Sequence, residues 1–436
     1  SIGGQNFFVI VDTGSSDLAT SSACIASDCK GVHLYLNSPT LRLTTTPFTL
    51  RYISGSTSGT IAYETVTFGP FQITSQVFAL VNNVANLNLP DTSASGVLGL
   101  ALPNSAAIPS FAGGGATVTE NIFSGLEARR RVFGLRLMRE GTGESSLTFG
   151  QLDEEVVQND TALHLVPVHA NDGKTYDFWK IPLRFITVNS HLIELSASRV
   201  SSSPQHRPLA VFDTGTTLML GPERDVANVY AQVPSAKRED GQWRVDCVEV
   251  VWLGVGFGPG EGVGGGSPVY WMHPLDVSWD EGNGGRRTGR CLGGVQVNED
   301  VSSGDWLFGD TFLRVRELLS HLSFLNNVYL AHYGHNSTMS PTVGLLGLTD
   351  PHTALAEFAQ RRDVPNPANL STLLPALDIP SDSSLPALYY RPEHTLVWTD
   401  GLILALACLA GFVVGMGISV LFQAPRVQTF RRLRRL

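Results

Sequence analysis

Two short stretches of the chain repeat one pattern, in which an apolar run ends in Asp-Thr-Gly. The first copy is FFVIVDTGSSDL at 7–18 and the second is LAVFDTGTTLML at 209–220. In each copy, two hydroxyl residues and a leucine follow the glycine. Apolar runs of this kind are typical of buried strands that end in turns. Coincidence is a poor explanation for two such copies, and each of them presents one aspartate at the end of a strand-like run.

The composition favours a globular, all-β protein. The chain has 436 residues, of which 43% are hydrophobic and 16% charged, enough to bury two sizeable cores. Its 44 Gly and 24 Pro separate many short runs rich in Val, Ile, Thr and Phe. The formal net charge of -9 argues against nucleic acid as a partner.

The two aspartates, Asp12 and Asp213, permit a specific chemistry if they lie face to face. Two neighbouring carboxyl groups cannot both ionise comfortably, so the pair shares one proton over a range of acidic pH. One carboxylate then takes a proton from a water while the other carboxyl polarises a substrate carbonyl. The glycines allow the backbone to approach closely, and the following hydroxyls can hydrogen-bond the carboxylates. The alternative is a pair of structural Asx-type turns without a catalytic role.

These motifs resemble the pepsin-like aspartic proteases, which are two-lobed, single-chain enzymes, over about residues 1 to 347. Each half also carries the family's later apolar-apolar-Gly element, GVLGLA at 96–101 and WLFGDTFLR at 306–314. The stretch GVQVNEDVSSGDWLFGDTFL is similar to fungal, membrane-anchored members. The resemblance implies a bilobal fold in which these elements support the active-site loops, and a β-hairpin flap that covers an extended peptide substrate.

The resemblance also implies roles for individual residues. The catalytic pair is Asp12 and Asp213. The residues that support the active-site loops are Thr13, Gly14, Ser15, Thr214, Gly215 and Thr216. The flap is YISGSTSGTIAYETVTFG, in which Tyr52, Ser54 and Gly55 form the tip; alternatively, Tyr52 is an ordinary half-buried strand aromatic. No metal or other cofactor is implied, and the scattered His and Cys show no zinc-site spacing.

Two stretches depart from the family pattern. Where the family has a Trp beside the flap tyrosine, this chain has Ala19, so Tyr52 is expected to be less restrained. After GDTFLR the family continues as strands, but VRELLSHLSFL has the spacing of a helix in its apolar residues, namely Val315, Leu318, Leu319 and Leu322.

The sequence predicts a membrane anchor near the C-terminus. The run LILALACLAGFVVGMGISVLF at 402–422 has no charge in 21 positions. As a helix it would measure about 31 Å, which matches the hydrocarbon core of a bilayer. The tail QAPRVQTFRRLRRL contains five Arg, which places it in the cytoplasm and the rest of the chain outside. A buried core helix is the alternative interpretation of this run.

The cysteines fit an extracytoplasmic protein. In CIASDC, Cys24 and Cys29 are close enough to close a small loop, and Cys247 with Cys291 could close a larger one. Both spacings are similar to disulfides of the family; buried free thiols are the alternative. Three sequons permit glycosylation, at Asn159, Asn336 and Asn369.

These observations predict five parts. They are an N-terminal lobe at 1–165, a C-terminal lobe at 166–347, a flexible stalk at 348–397, a transmembrane helix at 398–422 and a basic cytoplasmic tail at 423–436. The N-terminal lobe is expected to be incomplete at its start, because the sequence has neither an initiator Met nor a signal peptide. The stalk is expected to contain a short helix in ALAEFAQRR.

The predicted function is that of a monomeric, membrane-anchored aspartic endopeptidase, which cleaves peptide or protein substrates at acidic pH. The expected location is the cell surface, the vacuole or another part of the secretory pathway. Two alternatives come from other functional classes. One is a catalytically silent relative that binds peptides in the same cleft, and the other is an adhesion or structural protein of the cell surface.

Overall fold

The computed structural model describes most of the chain up to residue 365. The described residues are 1–22, 30–53, 55–87, 89, 93–138, 145–158, 163–258, 268–281, 289–301, 304–317, 324–326, 328–334 and 340–365. They belong to one compact unit, Ser1–Ser381. Several sites named above lie outside the described residues, namely Cys24, Cys29, Ser54, the three sequons, most of the stalk, the span at 402–422 and the tail.

The N-terminal lobe is built on one six-stranded sheet. Its strands are β1 Ile10–Asp12, β2 Leu18–Ser21, β3 Arg42–Arg51, β4 Ser56–Phe68, β5 Phe71–Ala85 and β6 Gly96–Gly99. Their order in the sheet is β1-β6-β2-β5-β4-β3. Buried and more exposed residues alternate along much of β4, as expected for a strand with one face on the core. The hairpin of β3 and β4 contains the predicted flap.

The middle of the chain adds short helices and three further strands. The helices are α1 Ile108–Phe111 and α2 Val118–Ser124, with 3₁₀ turns at Pro103–Ser105 and Ala128–Arg130. The strands are β7 Val132–Met138, β8 Ser146–Phe149 and β9 His164–Pro167. Helix α2 begins at a capping box, in which Thr117 and Glu120 each bond the other's backbone N–H.

The C-terminal lobe contains a larger sheet and a small one. Its strands are β10 Lys180–Val188, β11 His191–Leu192, β12 Leu209–Phe212, β13 Met219–Gly221, β14 Lys237–Glu239, β15 Gln242–Asp246, β16 Leu253–Phe257, β17 Tyr270–Met272, β18 Ser278–Trp279, β19 Arg290–Gly293, β20 Val295–Val297 and β21 Trp306–Phe308. The large sheet has the order β17-β16-β10-β12-β21-β13-β20, and the small one β14-β15-β19-β18. The helices are α3 Glu223–Tyr230, α4 Pro274–Val277 and α5 Asp310–Leu313, with a 3₁₀ turn at Pro204–His206. The disulfide Cys247–Cys291 joins β19 to the end of β15.

A fourth sheet combines strands from both halves of the chain. Its last strands are β22 Arg314–Glu317, β23 Phe324–Asn326, β24 Val328–Tyr333 and β25 Thr342–Gly347. The order is β23-β22-β7-β24-β25-β9, with β8 on β7. The predicted helix is therefore wrong at Val315, which lies in β22, whereas Leu318, Leu319 and Leu322 lie outside the described residues. Pairing with β7 provides backbone hydrogen bonds that outweigh the local apolar spacing, because tertiary context overrides weak helical preference.

A helix follows β25 and packs on the C-terminal lobe. This helix, α6 Pro351–Arg362, starts at Asp350, whose carboxylate accepts a hydrogen bond from the N–H of Thr353. Its Ala354 and Leu355 pack in one apolar cluster with Trp252. The first part of the predicted stalk is thus a docked helix. In the described part of the chain, no helix has the length and apolar character needed to cross a bilayer.

Candidate active site

The two Asp-Thr-Gly turns leave equivalent strands. Asp12 ends β1, which runs parallel to β6, and its carbonyl accepts a 2.7 Å hydrogen bond from the N–H of Leu100. Asp213 follows β12, which runs parallel to β21, and its N–H donates to the carbonyl of Phe308 at 3.1 Å. The later apolar-apolar-Gly element of each half therefore supports the turn of that half.

The Asp12 carboxyl group is almost completely buried, with 7% of the residue exposed. The N–H of Gly14 donates to Oδ1 at 2.8 Å, and the hydroxyl of Ser15 donates to Oδ2 at 2.5 Å. Burial raises the pKa of Asp12 well above its usual range, and the nearby charge of Asp213 raises it further, although the Ser15 and Gly14 hydrogen bonds oppose the shift. A proton is therefore retained in this site at pH values where an ordinary carboxyl group has lost it.

Asp213 has the same surroundings at short range. It is also 7% exposed. The N–H of Gly215 donates to Oδ1 at 2.8 Å, and the hydroxyl of Thr216 donates to Oδ2 at 2.7 Å. Each carboxyl group is thus held by one backbone donor and one side-chain hydroxyl, in the same order along the chain.

The glycines of the two turns bring the carboxyl groups together. A Cβ atom added to Gly14 would lie 2.4 Å from Cγ of Asp213, and one added to Gly215 would lie 2.6 Å from Oδ1 of Asp12. Real Cβ atoms do not approach other atoms so closely. Each turn therefore needs a residue without a side chain where it touches the opposite aspartate.

Two threonines join the turns by reciprocal hydrogen bonds. The hydroxyl of Thr13 donates to the carbonyl of Phe212 at 2.8 Å, and that of Thr214 donates to the carbonyl of Val11 at 2.6 Å. The N–H of each threonine also donates to the hydroxyl of the other at 3.1 Å. This network fixes one turn against the other and leaves the aspartates little freedom to separate.

The predicted flap lies near the first aspartate. The N–H of Tyr52 donates to the carbonyl of Gly55 at 2.7 Å, which closes the turn between β3 and β4. Burial raises the pKa of the Tyr52 hydroxyl, and the charge of Asp12 raises it further, so the ring lies within electrostatic range of Asp12. Tyr52 also packs against an apolar cluster that includes Ala19, which is 1% exposed in β2.

The profile of the eukaryotic aspartyl protease family matches residues 1–319. The chain belongs to this family. It is similar to a pregnancy-associated glycoprotein of Equus caballus, with 28% identity over 316 residues, which is 71% of this chain and 74% of the relative. It is also similar to pepsin A of Rhinolophus ferrumequinum (29% over 316 residues, 71% and 73%) and to pepsin-3 of Oryctolagus cuniculus (28% over 321 residues, 71% and 73%). The chain is thus an aspartic endopeptidase, a hydrolase that acts on peptide bonds.

Sequence reasoning missed buried residues whose hydrogen bonds hold elements next to the two Asp-Thr-Gly turns of this protease. Asp17 is buried and accepts hydrogen bonds from the N–H groups of Ala107 and Ile108 at 2.8 and 3.0 Å. The indole N–H of Trp179 donates to the carbonyl of Leu100 at 2.8 Å. The only local signal was position: Asp17 follows the first Asp-Thr-Gly turn, and Trp179 opens an apolar run.

Asp305 holds the strand that leads to the second Asp-Thr-Gly turn of the protease. It is buried, and its carboxylate accepts hydrogen bonds from the N–H groups of Leu209 and Arg199 and from the hydroxyl of Ser198, at 2.8, 2.7 and 2.6 Å. The bond to Leu209 fixes the start of β12, whose other end leads to Asp213.

In the described part of the chain, no group of three or more His, Cys, Asp or Glu side chains is arranged to hold a metal ion.

Proposed function

We propose that this protease cleaves peptide bonds at acidic pH through a water molecule bound between Asp12 and Asp213. The observation that carries the proposal is the matched environment of the two carboxyl groups, each buried and each held by a glycine N–H and a hydroxyl. Two such groups side by side favour the form with a single proton, which contains one acid and one base.

In this mechanism the unprotonated carboxylate removes a proton from the water, and the resulting hydroxide attacks the carbonyl carbon of the scissile bond. The protonated carboxyl group donates a hydrogen bond to the carbonyl oxygen, where negative charge develops. The proton then passes to the leaving amine, and the C–N bond breaks. The pair titrates as a unit, so its two protonation steps belong to both aspartates together.

The flap completes the site over an extended substrate. Tyr52 lies at the tip of the β3–β4 hairpin, on the side of Asp12. When the hairpin closes on a peptide, it excludes water from the scissile bond and strengthens the hydrogen bonds there. Both aspartates belong to one chain, so the proposed active form is a monomer.

The decisive experiment is cleavage of a mixed peptide library by the purified protein between pH 2 and pH 7, with and without pepstatin. We expect cleavage in acid that pepstatin abolishes. Binding of pepstatin without cleavage at any pH would favour the catalytically silent, peptide-binding alternative. Failure to bind pepstatin or cleave would favour a surface protein with another role.

We also propose that the protease is anchored in a membrane of the secretory pathway by residues 398–422, with its active site outside the cytoplasm. The support is the uncharged run at 402–422, the Arg-rich tail and the Cys247–Cys291 disulfide, which belongs in an oxidising compartment. Deletion of 398–436 should move the protein from the membrane pellet to the soluble fraction with unchanged cleavage. A deletion variant that still sediments with membranes would contradict the anchor.

A further inference from the structure

His332 is a histidine enclosed by aromatic rings in the fourth sheet. The residue lies in β24 and is 0% exposed. Its ring stacks on Phe133, with centroids 4.4 Å apart and planes at 12°, and Trp179 meets it edge to face at 4.8 Å. Neither ring nitrogen has a hydrogen-bond partner among the described residues. The neutral imidazole therefore packs here as an apolar aromatic ring does.

The charged groups on neighbouring elements already have partners. Strand β7 carries Arg136, which pairs with Asp153 at 3.4 Å, and β10 begins with Lys180, which pairs with Asp177 at 2.9 Å. Helix α2 carries Glu120, which caps that helix. Strands β8 and β25 have no titratable side chain. Burial is the cause that lowers the pKa of the enclosed imidazole from 6.5 to about 3.

The enclosed ring is linked to the catalytic pair through two hydrogen bonds. The indole N–H of Trp179 donates to the carbonyl of Leu100 at 2.8 Å. The N–H of Leu100 in turn donates to the carbonyl of Asp12 at 2.7 Å. Any movement of His332 that displaces Trp179 therefore reaches the backbone of the first catalytic aspartate.

We propose that His332 is an acid-sensitive switch, which releases Trp179 from the Asp12 turn when the medium becomes too acidic. Because the ring is fully buried among aromatic side chains, a positive charge on it is poorly stabilised, so the protonated ring must leave its apolar site. Trp179 then loses the packing that directs its indole toward Leu100. The effect on cleavage rests on the proposed function, whereas the effect on folding does not.

The direction of the effect follows from proton linkage. The unfolded chain takes up a proton on His332 as the pH falls through 6.5, but the folded chain does so only near pH 3. Between these values the unfolded state binds more protons, so stability falls as the pH falls. At pH 4 the ordinary imidazole in the unfolded chain shifts the folding equilibrium toward unfolding by roughly a hundredfold or more.

The test uses His332→Phe, which keeps an aromatic ring and cannot take up a proton. Folding is followed by tryptophan fluorescence and near-UV circular dichroism, and cleavage by peptide assay, from pH 7 to pH 2. We expect the folding equilibrium at pH 4 to improve by roughly a hundredfold, and the acid limit of cleavage to move down with it. His352→Gln, at an exposed histidine, is the matched control and should leave both unchanged.

Equal acid midpoints for His332→Phe and the wild type would overturn the proposal. His332→Leu provides a second variant without a proton site if Phe fits poorly. If neither variant folds, the wild type is labelled with ¹³C-histidine and titrated by NMR. An imidazole at 332 that titrates near pH 6.5 in the folded protein would also overturn it. If acid unfolding shifts as expected but no form cleaves peptide, the switch stands and the proposed function fails.

Discussion

The two Asp-Thr-Gly turns of this protease have the same hydrogen bonds but lie in different surroundings. The first turn leaves β1, an edge strand whose Ile10 and Val11 are only half-buried. The second leaves β12, an interior strand that is buried along its whole length. Behind it, the ring of Phe212 lies 5.4 to 6.1 Å from those of Phe257, Phe308 and Phe312. The first turn faces the flap instead.

This difference distinguishes two requirements of a peptide-cleaving site, namely proton transfer between the carboxyl groups and entry of the substrate. In the proposed mechanism, proton sharing depends on matched carboxyl groups, and the hydrogen-bond donors to Asp12 and Asp213 are matched. Substrate entry needs only one side of the cleft to open. The side with the edge strand and the hairpin is expected to move more easily than the side with the aromatic core, because β1 is less buried than β12.

The largest expected effect is that of removing either carboxylate. Asp12→Asn and Asp213→Asn should each lower kcat at least about a thousandfold, because neither variant retains both an acid and a base. The measurement is peptide cleavage at acidic pH, with circular dichroism as the check on folding. If one variant kept the wild-type rate, the two turns would not be chemically equivalent.

The same variants test the retained proton. Because the pKa of Asp12 is raised, the folded state holds a proton that the unfolded state loses above about pH 3.8, so Asp12 contributes stability that is lost as the pH rises from there, opposite in sign to the contribution of His332 below pH 6.5. Asp12→Asn should remove this slope, which is at most about 1.4 kcal/mol per pH unit. Urea unfolding at several pH values between 4 and 8 provides the measurement. Identical slopes for the two proteins would contradict the shift.

A smaller effect is expected from a methyl group at either glycine. Gly14→Ala and Gly215→Ala each place a Cβ atom against the opposite aspartate and should force the carboxyl groups apart. We expect a loss in kcat of about a hundredfold, which is typical of misplacing a reacting group by about 1 Å. Gly125→Ala is a control at the end of α2, where φ is -84° and an added Cβ atom makes only an ordinary contact, 3.6 Å from the carbonyl oxygen of Ile122. Full activity of either active-site variant would show that the turns are not in close contact.

The reciprocal threonine bonds should affect stability more than chemistry. Thr13→Val removes the hydroxyl that donates to the carbonyl of Phe212 and accepts from the N–H of Thr214, at a cost of about 1 to 3 kcal/mol in unfolding free energy. Thr214→Val should cost less, because Thr214 is less buried than Thr13. Chemical denaturation of both variants compares the sides directly. An equal loss of unfolding free energy in the two variants would mean that the different surroundings of the two turns do not affect these threonine hydrogen bonds.

The smallest effect concerns the flap side alone. Ala19→Trp should supply an indole N–H to Tyr52 and raise catalytic efficiency by about threefold, because less side-chain ordering is needed on closure. It should also cost about 1 to 3 kcal/mol in stability, since Ala19 is buried in a packed strand. Ala19→Leu adds bulk without the donor and is the control. No change in efficiency for either variant would show that the apolar cluster already holds Tyr52.

Sequence reasoning was strongest where local pattern and chemistry coincide. The strands that precede Asp12 and Asp213, and the turns that follow them, could be predicted because apolar runs, glycine and hydroxyl residues act locally. The contribution of Trp179 could not, since its hydrogen bond to Leu100 depends on how two distant parts of the chain pack. The burial of His332 is likewise a tertiary property, because a single His in a strand is usually exposed on one face.

Periodicity misled in one place and stopped short in another. Apolar spacing near residue 315 favoured a helix, but pairing with β7 makes β22 a strand. In the predicted stalk, ALAEFAQRR was expected to form a short helix on a mobile segment. The sequence alone does not reveal that this helix has a partner, because Trp252 and His273 lie about a hundred residues earlier in the chain.

For the proposed membrane-anchored form, the docking of α6 limits where a proteolytic cut could release the protease from the membrane. The helix covers Trp252, and Glu357 lies 3.2 Å from His273 in a pair that is almost fully buried. A cut before Pro351 would allow the helix to leave, which would expose this apolar surface and separate the buried pair. A cut after Asp363 would leave both intact. A shedding enzyme that releases an active, soluble form must therefore act on the C-terminal side of this helix.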